Sequence, residues 1–320
     1  MLVGRYDFLA LFQDEALLPE YKGSTFRGVF GRALKSIVCA LRLQECGDCL
    51  LRCRCLYPAV FERPPDTPSS DIKTGSSDPP RPYVIEPPPE SRARYLPGEP
   101  FAFTLVLFGP YNDSLPYFIY AIEQMGLIGI GRRVNGHGAR YRLERVTSTG
   151  RPVYEAEGRV LHRGPYARSV DAACLAAPAA GEKVEYVGLR LLTPLRLKYR
   201  NRLVPELPFH LVVRAALRRV STLFSLYGEG EPDLDYRGLV HRAAAVEIAS
   251  QNISWHDWRR YSNRQEREML MGGIVGEVVY KGELDEFMPL LSLSETLHLG
   301  KATTFGLGRV ELFQPGRDGP

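Results

Sequence analysis

The sequence predicts an α+β protein made of two related halves, and three observations carry that reading. A glycine-punctuated basic loop stands between a helical run and a strand near the C-terminus. A second loop of the same make stands in the first half. The same order of elements leads into both.

The first loop lies in Leu297–Phe313, LHLGKATTFGLGRVELF. A helical run, Asp285 to His298, ends at Gly300; Lys301, Thr303, Thr304, Gly306, Gly308 and Arg309 follow; the chain then enters an alternating strand, Arg309 to Phe313. Glycines let backbone N–H groups approach an anion, and Lys301 and Arg309 add positive charge beside them. The order excludes a nucleotide P-loop, in which the lysine follows the second glycine and directly precedes Ser/Thr. Gly126 to Arg145, GLIGIGRRVNGHGARYRLER, repeats the pattern with Gly131, Arg132, Arg133, Gly136 and Gly138. Strand Phe101–Phe108 and helix Ser114–Met125 precede this loop; strand Ile274–Tyr280 and helix Asp285–His298 precede the other. An order that recurs after about 170 residues marks an internal repeat.

With 320 residues, 44% hydrophobic and 24% charged, the chain has the size and composition of two ordinary soluble domains. MLVGRYDFLALFQDE lacks the basic leader and apolar core of a signal peptide, and no apolar run reaches the ~18 residues of a membrane helix. A cytoplasmic protein with no membrane partner is the expectation. The net charge of +4 is mild, but the cations are grouped. One group is Arg132, Arg133, Arg140, Arg142 and Arg145; a second is Arg190, Arg196, Lys198, Arg200 and Arg202; a third is Arg259, Arg260, Arg264 and Arg267. Such grouping points to a polyanionic partner.

Val3 to Phe12 reads as the first strand. A helix follows Pro19, capped by Ser24 or Thr25, with Phe26, Val29, Phe30, Ala33, Leu34, Ile37 and Leu41 on its apolar face. Gly28, Gly31, Arg32, Lys35 and Cys39 fall opposite, with Arg27 at the edge. Each interior glycine costs a helix roughly 1 kcal/mol relative to alanine. Two on the polar face imply close approach there, by a ligand or by another segment of this chain.

Five of the six cysteines fall between Cys39 and Cys55. Cys46-x-x-Cys49 is half of a metal knuckle; Cys55 with Cys39 or Cys53 completes a four-thiolate structural zinc site, the alternatives being free thiols or a redox pair. Pro58 to Pro100 holds 12 of the 25 prolines and reads as an insertion of about 58–100, not a core element. Arg151 to Val160 reads as a strand, and Ala172 to Gly181 as a linker, giving domains of 1–178 and 179–320.

The second half opens on a strand ending LLTPLRLKYRNR, followed by a helix over Pro208–Tyr227 and a strand over Ala243–Ser254. Trp255, Trp258 and Tyr261 then interleave with Arg259, Arg260, Arg264 and Gln265, a mixture of stacking and phosphate-binding groups suited to single-stranded RNA. The order βαββαβ in this half is the ferredoxin-like split unit, shared with the RNA-recognition motif.

GKATTFGLGRVEL resembles the glycine-rich loop of CRISPR-associated RAMP-superfamily proteins. STFRGVFGRALK with the cysteine cluster and CLYPAVFE, the LTPLRL strand, and WHDWRRYSNRQ before MGGIVGEVVYKG resemble the cysteine-containing branch of the endoribonucleases that process precursor CRISPR RNA. The resemblance covers nearly the whole chain. It implies two tandem ferredoxin-like domains, binding of CRISPR repeat RNA, other CRISPR-associated proteins as partners, and cleavage without a metal by attack of a 2′-hydroxyl on its neighbouring phosphate. Relatives commonly carry a histidine on or after the first helix as general base, whereas no histidine here precedes His137. Tyr21, Arg32 and Lys35 are therefore the candidate catalytic residues, because fixed cations at developing charge are a large catalytic term; His137 and His256 are the alternatives. The RNA-binding set is Arg27, Arg132, Arg133, Arg260, Arg264, Gly300, Lys301, Thr303, Thr304, Gly306, Gly308 and Arg309, and the zinc set is Cys39, Cys46, Cys49 and Cys55, with Cys53 in reserve. The alternative function is a non-cleaving RNA-binding subunit of a CRISPR interference complex.

Overall fold

The first strand, β1 (Leu2–Phe12), alternates along its length, burying Tyr6, Phe8, Ala10 and Phe12 on one face. In the computed structural model, which describes residues 1–42, 44–62, 79–134, 136–175, 183–199, 202–203, 205–262 and 267–315, it is followed by α1 (Gly23–Val38) and α2 (Leu56–Phe61). Then come β2 (Tyr83–Glu86), β3 (Pro100–Phe108), α3 (Leu115–Ile128), a hairpin of β4 (Ile130–Val134) and β5 (His137–Ala139), β6 (Tyr141–Ser148) and β7 (Arg151–Glu155). The sheet runs β7–β6–β1–β3–β2, antiparallel throughout. Strands β1, β2, β3 and β6, with α1 and α3, form a ferredoxin-like βαββαβ unit. Aromatic rings fill its core. Phe8 stacks on Phe103 at 5.0 Å, Phe12 on Phe101 at 4.3 Å, and Phe26 of α1 meets Phe103 edge-on at 5.1 Å.

The second half begins with β8 (Tyr186–Leu195), α4 (Phe209–Tyr227) and α5 (Tyr236–Ala243). It continues through β9 (Glu247–His256), a hairpin of β10 (Arg259–Ser262) and β11 (Arg267–Leu270), β12 (Gly273–Lys281), α6 (Met288–Leu297) and β13 (Val310–Phe313). Its antiparallel sheet has the order β9–β12–β8–β13, again ferredoxin-like. The chain divides into Met1–Ser169 and Val170–Pro320 by its internal contacts. Among the described residues no helix is long and apolar enough to cross a membrane.

Several sequence expectations are corrected. Helix α1 starts at Gly23, ahead of both Ser24 and Thr25; Lys22 stands at the N-cap and no side chain caps the helix. Leu41 lies beyond the helix and is exposed. The proline-rich stretch is not wholly an insertion: β2 comes from it, buried along its length and paired with β3. Its prolines flank YVIE rather than interrupt it, so no ladder N–H is lost. Residues 63–78 lie outside the described residues. The strand expected over Arg151–Val160 stops at Glu155, where a turn leads to a short strand, Val160–Leu161, paired back on β7. Helix α5 was not foreseen; it is short, and Asp235 caps it by accepting from the Gly238 N–H at 2.8 Å.

Candidate nucleic-acid interface

The C-terminal loop begins where α6 ends. His298 takes a left-handed conformation (φ 60°), its N–H bonding the Ser294 carbonyl at 3.0 Å, and its buried ring sets Nδ1 3.1 Å from the Leu307 carbonyl. Gly300, Gly306 and Gly308 follow at φ 77°, 82° and 71°. The loop is stitched to the end of β8. The Lys301 N–H donates to the Arg196 carbonyl at 2.9 Å and the Gly308 N–H to the Pro194 carbonyl at 3.1 Å. Thr193 Oγ1 donates to the Gly306 carbonyl at 2.8 Å and accepts from the Arg309 N–H at 2.9 Å. The Leu299 N–H closes the loop on the Gly308 carbonyl at 2.8 Å. Several of its amides are therefore spent inside the protein, and the glycines first serve close packing. A Cβ on Gly300 would lie 2.4 Å from the Arg196 oxygen, and one on Gly308 1.8 Å from the Leu299 oxygen. Lys301 is exposed, Thr304 and Arg309 are half-buried, and Thr303 is buried.

Arg219 of α4 is buried and donates from Nε to the Leu297 carbonyl at 3.0 Å. It thus places a cation at the C-terminus of α6, the end that favours one, although burial lowers its pKa to about 10. Thr193, Arg219 and His298 were missed as site residues. The available signal was an arginine within the apolar stripe of α4, at helical spacing from Ala216 and Leu223.

The first half carries the equivalent turn. The N–H of Gly129, just past α3, bonds the Met125 carbonyl, and Gly131 (φ 84°) lies against the Leu17 carbonyl, where a Cβ would approach to 2.5 Å. What was expected as a loop is the β4–β5 hairpin. Arg132 and Arg133 are exposed on it and have no ion-pair partner among the described residues. His137 is exposed, with Nδ1 3.0 Å from the Gly138 carbonyl. Nearby cations are already neutralised: Arg140 Nε meets Asp14 at 2.9 Å and Arg142 meets Glu144 at 2.7 Å. In the second half Arg190 is likewise held by Glu311 at 2.9 Å and Glu277 at 3.5 Å.

On α1 the two glycines have different surroundings. Gly31 is buried under Phe61 of α2, whereas Gly28 has nothing within 4 Å of a would-be Cβ. Tyr57 and Phe61 stack at 5.3 Å; Arg27 lies over Phe61 at 5.3 Å and Lys35 over Tyr57 at 5.5 Å. Arg32 is exposed one turn from Lys35. Burial lowers the pKa of Lys35, but Cys46, Tyr57, Glu45 and Cys39 outweigh it, and the net shift is upward. Tyr21 sits ahead of the helix, where burial and then the charge of Glu86 push its phenol well above the ordinary value. Glu86 is itself clamped by Arg5 through two bonds of 2.7 and 2.8 Å. Arg32 and Lys35 therefore share a helix face, while Tyr21 precedes it beside the Arg5–Glu86 pair.

His256 is exposed at the end of β9, next to Trp255, whose Nε1 donates to Asp257 at 2.9 Å. Arg260 lies on β10, and Arg264 is outside the described residues. Cys39, Cys46, Cys49 and Cys55 line a cavity of about 160 Å³; Cys53 is exposed and does not line it. Among the described residues no group of three or more His, Cys, Asp or Glu side chains is gathered as a metal site.

Comparison with known proteins places these features. Residues 1–165 match the N-terminal domain family AF_1859_N, and residues 189–310 match the family CRISPR-associated endoribonuclease Cas6. An uncharacterized protein of Archaeoglobus fulgidus is 27% identical over 304 residues, covering 93% of each chain. The product complex of Thermus thermophilus Cas6 (TTHB231) superposes with a TM-score of 0.58 at 18% identity, covering 97% of this chain and 100% of that one. A partial Cas6-RT-Cas1–Cas2 complex gives a TM-score of 0.58 at 13% identity, covering 99% of this chain and 46% of that one. At these identities the likeness is one of fold. The first model spans just over half of the chain, and the second covers the stretch that ends in the stitched glycine loop. The chain belongs to the family AF_1859_N by its first half and carries, over residues 189–310, a region similar to the family CRISPR-associated endoribonuclease Cas6.

Proposed function

We propose that this protein binds CRISPR repeat RNA and cuts it by metal-independent transesterification, yielding processed CRISPR RNA. The observation that carries the reading is the glycine loop of residues 300–309, built onto the end of β8 inside the Cas6-matching region. In the proposed step the 2′-oxygen of the nucleotide 5′ to the cut bonds to the adjacent phosphorus, and the bond from phosphorus to the 5′-oxygen breaks. The 2′-hydroxyl loses its proton and the departing 5′-oxygen gains one, leaving a 2′,3′-cyclic phosphate and a 5′-hydroxyl. Lys35 and Arg32 neutralise charge on the pentacoordinate phosphorus. Tyr21, whose raised pKa keeps it protonated at neutral pH, serves as a hydrogen-bond donor and not as the base. His137 and His256 are the alternative proton carriers. Other CRISPR-associated proteins are proposed partners, a reading supported by the fold shared with the Cas6-RT-Cas1–Cas2 complex.

A second reading, a non-cleaving RNA-binding subunit, is favoured by the lack of any histidine before His137. One experiment separates the two. The protein is incubated, in EDTA, with the repeat RNA of its own genome and with the same RNA carrying a 2′-deoxy nucleotide before the cut. Cyclic-phosphate products from the first, none from the second and equal binding of both support cleavage. Binding without any products leaves the binding subunit. Cutting of the deoxy RNA, or activity only with added magnesium, overturns the mechanism.

A further inference from the structure

We infer that Cys39, Cys46, Cys49 and Cys55 hold a structural zinc ion that fixes the lobe between α1 and α2. Three separate stretches of backbone deliver these four thiols to one cavity of about 160 Å³. Cys39 is the residue at which α1 ends, and Cys55 the one at which α2 begins. Cys46 and Cys49 bracket a single 3-10 turn, closed by the Cys49 N–H on the Cys46 carbonyl at 3.5 Å. That is the knuckle arrangement, in which one tight turn presents two thiolates to one metal.

The lobe needs such a centre because it has little else to hold it. Among the described residues of 40–54 the regular elements are two 3-10 turns, and the large apolar side chains Leu41, Leu50 and Leu51 are 40%, 89% and 44% exposed. Among the described residues there, Cys46 alone is a buried hydrophobic one. A segment that cannot bury apolar surface is a place where metal binding supplies folding energy. Charge is also provided for. A zinc ion with four thiolates carries two net negative charges; Arg54 lines the cavity, and the Lys35 ammonium acts electrostatically on Cys46 and Cys39. Among the described residues the thiols that line the cavity are not gathered as a metal site, so binding requires them to be drawn together to reach Zn–S distances of about 2.3 Å. The set is closed, so the ion orders structure and activates no water. Tyr57 and Phe61 follow Cys55 within α2, and the ion thereby also fixes the aromatic pair beneath Lys35 and Arg27.

Metal content of the full chain, produced with zinc and purified without chelator, tests this. About one zinc per chain is expected, and cobalt substitution should give the d–d bands of a tetrahedral thiolate site. Cys39→Ser, Cys46→Ser, Cys49→Ser and Cys55→Ser should each lose the metal, while Cys53→Ser and Cys174→Ser should keep it. If the first four variants prove insoluble, mercurial titration of the wild type decides, because zinc should be released as four thiols react. A zinc content near zero, a disulfide among the four cysteines, or metal loss in Cys53→Ser equal to that in Cys55→Ser overturns the proposal.

Discussion

Gly300 packs directly against the Arg196 carbonyl, with 2.4 Å between that oxygen and the site of a Cβ. This packing joins the turn after α6 to the end of β8, as Gly131 joins the turn after α3 to Leu17 in the first half. Gly308→Val should therefore unfold the loop before it touches RNA recognition. Its φ of 71° alone costs a non-glycine residue about 1–2 kcal/mol, and a Cβ 1.8 Å from the Leu299 oxygen adds a clash with backbone. A fall in melting temperature, with RNA affinity falling in parallel, is expected. Lys301→Ala, on an exposed side chain, should leave the melting temperature unchanged and weaken RNA binding alone. Unchanged stability in Gly308→Val would remove the packing role.

The two glycines of α1 should respond in opposite directions. Gly28→Ala meets open space and should stabilise the helix by roughly 1 kcal/mol. Gly31→Ala gains the same helix propensity but places a Cβ 2.9 Å from the Phe61 ring, which Phe30, Tyr57 and Tyr83 pack against. Overpacking costs about 1–3 kcal/mol, so the net effect is destabilising. Thermal melts of both variants, and of Gly31→Ala with Phe61→Leu, check this; a failure of the double variant to recover stability would count against it.

These contrasts show what was legible in the sequence. The repeat of strand, helix, glycine turn and strand located β3, α3, β12 and α6 closely, because glycine at a helix end and apolar periodicity are local signals. Strand β2 was hidden because four residues, Tyr83–Glu86, between prolines carry no period. Gly31 was placed on the solvent face because its cover, Phe61, arrives from 30 residues downstream. The charge groups were visible as groups, yet no local pattern tells Arg140, which finds Asp14 across 126 residues, from Arg132, which finds no partner among the described residues.

That difference predicts a split in salt dependence. Arg132→Ala with Arg133→Ala should lower the slope of log affinity against log salt by about 0.7 for each phosphate of single-stranded RNA that the variant no longer neutralises. Arg190→Ala should leave that slope near the wild-type value, because Glu311 and Glu277 already hold the guanidinium. Equal slopes for the two variants would refute the distinction.

Asp14 accepts from both the backbone N–H and the guanidinium of Arg140, and those bonds pull its pKa from 3.8 to about 2. A carboxylate with a depressed folded-state value contributes stability above its unfolded value and loses it as pH falls through the folded one. The window is therefore between about pH 4 and pH 2. The pair lies at the surface, with Arg140 exposed and Asp14 partly so, and solvent screens it; Asp14→Asn should therefore cost no more than about 1 kcal/mol at neutral pH. The variant should also flatten the acid dependence of stability in that window, measured by denaturant titration at several pH values.

Lys35 offers the sharpest test of the catalytic reading. Its ammonium is held over Tyr57, and although burial opposes the charge, Cys46, Tyr57, Glu45 and Cys39 keep its pKa above 10.5. It should therefore stay cationic through pH 9, and cleavage should not fall between pH 7 and pH 9 through loss of that charge. A group that meets charge only as the phosphorane forms acts on rate and not on affinity. Lys35→Ala should slow single-turnover cleavage by about 100-fold or more while RNA affinity changes far less. Lys35→Arg should recover part of the rate by restoring the charge. Single-turnover rates and binding isotherms for the three proteins decide the matter: parallel losses of rate and affinity in Lys35→Ala would make Lys35 an RNA-binding residue and move the chemistry to His137 or His256.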